Sequence, residues 1–122
     1  MKEKVLGVKT ALQVIGDAGE ELALAHLLEQ GLHLVTRNFR CKCGEIDLIM
    51  MQGETLVFVE VRARKNSTYG GAAASVTAAK QRRIVNAAQR YLQRYRMPPA
   101  CRIDVITIDD GKLVWHRNAI EA

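Results

Sequence analysis

Two apolar runs, Gly44-Glu45-Ile46-Asp47-Leu48-Ile49 and Phe58-Val59-Glu60-Val61-Arg62-Ala63-Arg64, are separated by a short polar turn at Gly53-Glu54. They read as the two strands of a hairpin, and each carries an acid where a buried strand would carry another branched aliphatic residue. Side chains alternate along the second strand, so Leu56, Phe58, Glu60 and Arg62 share one face while Val57, Val59, Val61 and Ala63 line the other. A symmetric turn about Gly53-Glu54 sets Met51 opposite Leu56 and Asp47 opposite Glu60. Two facing carboxylates repel, so something positive must sit near them. A divalent cation such as Mg²⁺ or Mn²⁺ suits oxygen donors of this kind. The competing reading is an ion cluster at the strand ends, with Asp47 and Glu60 neutralised by Arg62 and Arg64.

Around this hairpin the pattern changes period. From Ala11 to Gln30 it is helical and closes on Gly31, with Ile15, Gly19, Leu22, Ala23 and Leu27 on one face. Glu20 lies at the edge of that face, in line with Ala23, Leu24 and Leu27. Leu32 to Arg40 predicts a first strand, and Cys41-Lys42-Cys43-Gly44 a turn. Lys65 to Ala74 is a glycine-containing loop beside Arg62 that carries Tyr69, well placed for substrate contact. Thr77 caps a second helix running to Tyr95, with Ile84, Ala88, Tyr91, Leu92 and Tyr95 as its apolar stripe and Lys80 in its first turn on the inward side. Arg82, Arg83, Arg90, Arg94 and Arg96 make it the most basic helix of the chain, a face suited equally to solvent or to phosphate. Arg102 to Ile108 predicts a strand, Asp109-Asp110-Gly111 a turn, and Lys112 to His116 a final strand. The strand–helix–strand order through Glu60, Lys80 and Ile106 calls for a parallel pair. The expected architecture is α/β, a mixed sheet flanked by helices.

Composition narrows the function classes. The chain of 122 residues, 48% of them hydrophobic, is expected to form one domain over 1–122, with residues 1–10 a flexible N-terminal extension. Eighteen Lys and Arg against thirteen Asp and Glu give a formal charge of +5, which favours an anionic partner. Aromatic residues are only 5%, which argues against a stacking platform for single strands. Three cysteines, an odd count with no Cys-x-x-Cys pair, fit a reducing cytoplasmic compartment better than a disulfide framework or a zinc site. No apolar run is long enough for a signal peptide or a membrane span.

The blocks Gly16-Asp17-Ala18-Gly19-Glu20, Arg37-Asn38-Phe39-Arg40, Gly44 to Ile49, Phe58 to Arg64, Lys80, and Arg102-Ile103-Asp104-Val105 together resemble the signature blocks of the bacterial YraN family. That family is grouped with the restriction-endonuclease-like, or PD-(D/E)XK, nucleases and with Holliday-junction resolvases. The resemblance implies an α-β-β-β-α-β core, here with an extra C-terminal strand. It also implies site roles: Glu20, Asp47 and Glu60 as metal-binding acids for Mg²⁺ or Mn²⁺, and Arg62 where such nucleases usually have lysine. Lys80 matches the basic or amide residue of the second helix, and both cations would face the scissile phosphate. Arg37, Arg40, Arg64, Tyr69 and Arg83, with the basic helix, would hold nucleic acid. The expected activity is metal-dependent hydrolysis of DNA in repair or recombination, with no membrane partner and a homodimer left open. Two alternatives remain at this point, an inactive nucleic-acid-binding module of the same fold and a protein-interaction scaffold.

Overall fold

The computed structural model describes residues 11–65 and 71–121, so the expected extension over 1–10 and Tyr69 of the loop lie outside the described residues, as does the side chain of Ile15. The chain order is α1 (Ala11–Glu29), β1 (His33–Cys41), β2 (Gly44–Gln52), β3 (Thr55–Arg64), a 3-10 turn at Ala73–Ser75, α2 (Ala78–Leu92), β4 (Cys101–Asp109) and β5 (Lys112–Ile120). All five strands form one sheet in the order β1-β2-β3-β4-β5. Neighbours are antiparallel except β3 and β4, which are parallel and joined through α2. This is the mixed α/β arrangement expected, down to the added C-terminal strand.

The two faces of β3 explain where the helices go. Val57, Val59 and Val61 face α1, packing with Ala23, Leu27, Leu48 and Ile106. Leu56 and Phe58 face α2, packing with Ile84, Ala87, Ala88 and Tyr91. Burying a side chain such as Phe58 or Leu48 contributes about 2–3 kcal/mol, so a sheet apolar on both sides needs a helix on each. α1 ends where expected: the N–H of Gly31 bonds to the carbonyl of Leu28 and that of Leu32 to Leu27, each at 3.0 Å, the paired bonds of a Schellman cap.

Three expectations require correction. Leu22 does not belong to the inward stripe of α1; it is 52% exposed. α2 ends at Leu92, short of Tyr95, and buries Ala87, which the apolar stripe had omitted. β5 runs on past His116 to Ile120. The cause of the last is Asp104, fully buried on β4, whose carboxylate accepts the N–H of Asn118 at 2.8 Å and the indole N–H of Trp115 at 2.9 Å, across the register shift between the two strands. Arg102 Nε donates to the same carboxylate at 3.0 and 3.2 Å. Every one of these partners lies on β4 or β5, so Asp104 is bound into the sheet, and it is not part of the cleft described next.

Candidate active site

The site begins where two strands part. β2 and β3 pair from Gln52–Thr55 to Leu48–Val59, and from there β2 continues beside β1 alone through Ile46, Glu45 and Gly44. The fork leaves the N–H of Val61 without a strand partner on that side. Asp47 fills the gap, its Oδ2 accepting the Val61 N–H at 2.8 Å. The same departure from β3 puts Ile46 and Ile49 in one core cluster and Leu48 in the other, which strict alternation forbids.

Asp47 and Glu60 meet at this fork, their carboxyl groups near enough to share a hydrogen bond. Such a bond requires a proton on one of them. Burial pushes Glu60 up to about 9, with the charge of Asp47 and the shared hydrogen bond acting in the same direction; Arg62 and Lys80 pull the other way. Asp47 is also raised, chiefly by burial, while the Val61 N–H and the Glu60 bond hold it back.

Glu20 arrives from α1. The helix can come close because Gly19 has no side chain: a Cβ there would stand 2.8 Å from the Cβ of Ala63 on β3. Burial first, then the charge of Asp47, raises Glu20 to about 7, opposed by Arg37, whose guanidinium lies 3.9 Å away. Glu20 lines the same cleft as the other two acids. Among the described residues, however, no three His, Cys, Asp or Glu side chains are arranged to hold one ion. The arrangement is a touching pair with a third acid beside it.

Two cations face the acids. Arg62 lies 3.6 Å from Glu60 and donates from Nε to the Ser75 hydroxyl at 2.9 Å. Ser75 in turn donates to the carbonyl of Ala72 at 2.5 Å, and the Ala72 N–H donates to Asp109 at 2.7 Å. A line of polar bonds thus runs from the end of β4 to the guanidinium and fixes its direction. Lys80 lies in the first turn of α2, where the Thr77 hydroxyl accepts its backbone N–H at 3.2 Å. Its ammonium stem enters the cleft wall and its charge acts on Glu60.

The cleft has a volume of about 710 Å³, with Glu20, Asp47, Glu60, Arg62 and Lys80 in its walls and Arg40, Lys42 and Arg83 among the other lining residues. Arg40 is largely exposed, 3.1 Å from Glu45. Arg37 is turned away onto α1, bonded to Glu21, and Arg64 is exposed at the end of β3; neither lines the cleft. Arg62 therefore stands beside Glu60 without Arg64, which departs from the ion cluster of both arginines. Sequence reading missed Ser75 and Asp109, for which no spacing gives a signal, and Lys42 and Glu45. Lys42 and Glu45 could have been found from the hairpin turn that brings their strands to the same edge.

The oxygens able to hold a divalent cation are those of Asp47 and Glu60, where an ion would take the place of the shared proton. With no thiolate or imidazole among the acids, the donor set suits a hard cation.

The fold and these residues define a family before they define an activity. The chain belongs to the uncharacterised protein family UPF0102, whose model matches residues 19–108 and so includes every acid and cation of the cleft. It is 60% identical over 114 residues to a UPF0102 protein of Janthinobacterium, covering 93% of both chains. It is also 60% identical to UPF0102 protein HEAR0176 of Herminiimonas arsenicoxydans, over 93% of this chain and 92% of the other. A UPF0102 protein of Alkalilimnicola ehrlichii shares 55% over 88% of this chain and 86% of its own. A looser likeness links the chain to Pyrococcus furiosus SfsA, whose structure holds Ca²⁺, with a TM-score of 0.32 and 11% identity over 91% of this chain and 65% of that one. An overlap that loose bears on neither fold nor function. Among the described residues no helix is long and apolar enough to cross a membrane.

Proposed function

We propose that the protein is a nucleic-acid-binding phosphodiesterase, dependent on a divalent cation and acting on DNA. The observation that carries the reading is the pair Asp47 and Glu60, touching at a strand fork inside a cleft whose other walls hold Arg62, Lys80, Arg40, Lys42 and Arg83. Acids alone would repel a phosphodiester, and cations alone would only bind it. Their juxtaposition suits an anionic substrate and a charge-stabilised displacement at phosphorus.

Asp47 and Glu60 would hold Mg²⁺ or Mn²⁺, with Glu20 completing the set through an intervening water. A cation so held lowers the pKa of water and offsets charge on a phosphate oxygen. The remaining work falls to side chains. Arg62, held by Ser75, presents a fixed guanidinium to the phosphate and stabilises the extra negative charge of a five-coordinate phosphorus. Lys80 supplies a second positive charge from the opposite wall, and its ammonium can pass a proton to the leaving oxygen. Arg40, Lys42 and Arg83 hold the flanking backbone.

Cleavage of a labelled DNA duplex in Mn²⁺ tests this reading. Wild type should cut, and Asp47→Asn and Glu60→Gln should lose at least a hundredfold in rate while still binding the DNA. A second reading, an inactive binding module of the same fold, is favoured by Arg62 itself, since an arginine stays protonated and cannot accept a proton from water. That reading predicts binding by wild type and variants alike with no cleavage by any of them.

A further inference from the structure

On the other side of the β1–β2 hairpin tip lies a second groove, of about 800 Å³, whose walls include Arg40, Lys42, Arg90 and Arg94. No carboxylate lines it, whereas four acids line the first cleft. Among the described residues no acid is paired with Lys42, Arg90 or Arg94. The guanidinium carbon of Arg94 lies over Tyr91, 3.9 Å from the ring centre, and 5.7 Å from that of Phe39. The ring contacts hold the guanidinium in place without using its N–H groups on a carboxylate. This is a surface built for an anion and lacking the acids that would handle a metal.

The ridge between the two grooves is narrow and fixed. Arg40, Cys41 and Lys42 belong to both. A Cβ on Gly44 would fall 2.6 Å from the carbonyl oxygen of Arg83, so the hairpin tip rests against the backbone of α2. α2 therefore passes under the ridge, with Lys80 and Arg83 lining the groove on one side and Arg90, joined by Arg94 in the turn just past the helix end, lining the groove on the other. At a helical rise of about 1.5 Å per residue, Arg83 is about 10 Å from Arg90 along the axis of α2. That separation is close to the roughly 12 Å width of the B-form major groove, which admits a two-stranded β-ribbon.

We infer that the β1–β2 hairpin tip enters one groove of duplex DNA, with one bordering backbone in the acid cleft and the other held by Arg90 and Arg94. This deepens the proposed function and rests on it for the identity of the polymer. The second backbone is bound without metal and is not cut. A single strand fills one groove only, and an A-form RNA duplex, with its deep and narrow major groove, does not admit the ribbon.

The test is fluorescence anisotropy in EDTA with a 20-base-pair DNA duplex, its single strand, and the RNA duplex of the same sequence. Wild type should bind the DNA duplex about tenfold more tightly than either of the others. Arg90→Ala/Arg94→Ala should weaken duplex binding about tenfold and shallow its salt dependence by about two phosphate contacts, at ~0.9 per contact, with less than a twofold change for the single strand. Because loss of Arg94 also uncovers Tyr91, the exposed pair Arg90→Glu/Gln93→Glu gives a second variant with the stack intact and the same expected loss. Equal affinity for duplex and single strand, or an unchanged salt slope in both variants, would overturn the inference. Mn²⁺-dependent cleavage that survives unchanged in both variants would remove the second-strand site while leaving the catalytic reading standing. Duplex binding lost in the variants, with no cleavage by any protein, would do the reverse.

Discussion

Asp47 accepts the backbone N–H of Val61 at the point where β2 stops pairing with β3. One carboxylate therefore both closes the strand fork and faces the cleft. Replacement by asparagine keeps a carbonyl oxygen for the Val61 N–H, whereas alanine leaves a buried donor unsatisfied, at about 1–3 kcal/mol. Asp47→Asn should accordingly melt near wild type in EDTA, and Asp47→Ala should melt several degrees lower. Equal melting of the two variants would show that the fork does not depend on this bond.

The raised acids give the metal-free fold a pH dependence. Glu60 rises from an ordinary 4.5 to about 9, and Glu20 from 4.5 to about 7. A carboxyl group whose folded pKa lies above its unfolded one favours the fold fully below pH 4.5, and that contribution is lost as pH climbs through the folded value. Stability in EDTA should therefore decline from pH 5 to pH 9, by up to ~1 kcal/mol per pH unit, with Glu20, being less buried, adding a smaller share below pH 7. Urea melts across that range measure it, and Glu60→Gln should flatten most of the slope above pH 7. A slope unaltered in that variant would assign the dependence elsewhere.

Gly19 sets the distance of α1 from the sheet. Gly19→Ala would gain helix propensity but drive a methyl into Ala63, and overpacking of this kind costs about 1–3 kcal/mol. The variant should be less stable, with Glu20 moved off the cleft, and Ala63→Gly in the same chain should restore most of the loss. Thermal melts of the two single variants and the double variant decide it; additive losses would contradict the contact.

Asp104 and Asp47 both lie in the family's matched region, yet their variants should separate stability from chemistry. Asp104→Ala leaves the half-buried Arg102 without its partner and two N–H donors unbonded, a loss of about 3 kcal/mol. Its Mn²⁺ binding, measured below its melting temperature, should match wild type. A fold as stable as wild type would refute the clamp.

Much of this was legible because turn chemistry and a period of two fix a hairpin's register: Gly53-Glu54 alone set Asp47 opposite Glu60, and the observed pairing of Leu48 with Val59 keeps that count. The limits have physical causes. Alternation fails at Asp47 because β2 leaves its partner there, so Ile46 and Ile49 share a core. Leu22 was placed inward by helical spacing, but α1 meets the sheet there through Ala23 and Leu27, with Leu24 partly buried beside them, and Leu22 is left facing outward. Arg37 looked like a phosphate ligand because nothing local opposes it, while its acids, Glu20 and Glu21, are sixteen or more residues away and meet it only through the packing of α1. Ser75 is ordinary in sequence and gains its place from the return of the loop to Asp109.

The central claim is that Asp47 and Glu60 together take a divalent cation in place of their shared proton. Calorimetric titration of wild type with Mn²⁺ at pH 7.5, in two buffers of different ionisation heat, should show one site and the release of about one proton, as expected when a cation displaces a bound proton. Asp47→Asn and Glu60→Gln should each abolish that heat. Equal binding by all three proteins, or binding by wild type with no proton released, would contradict the account.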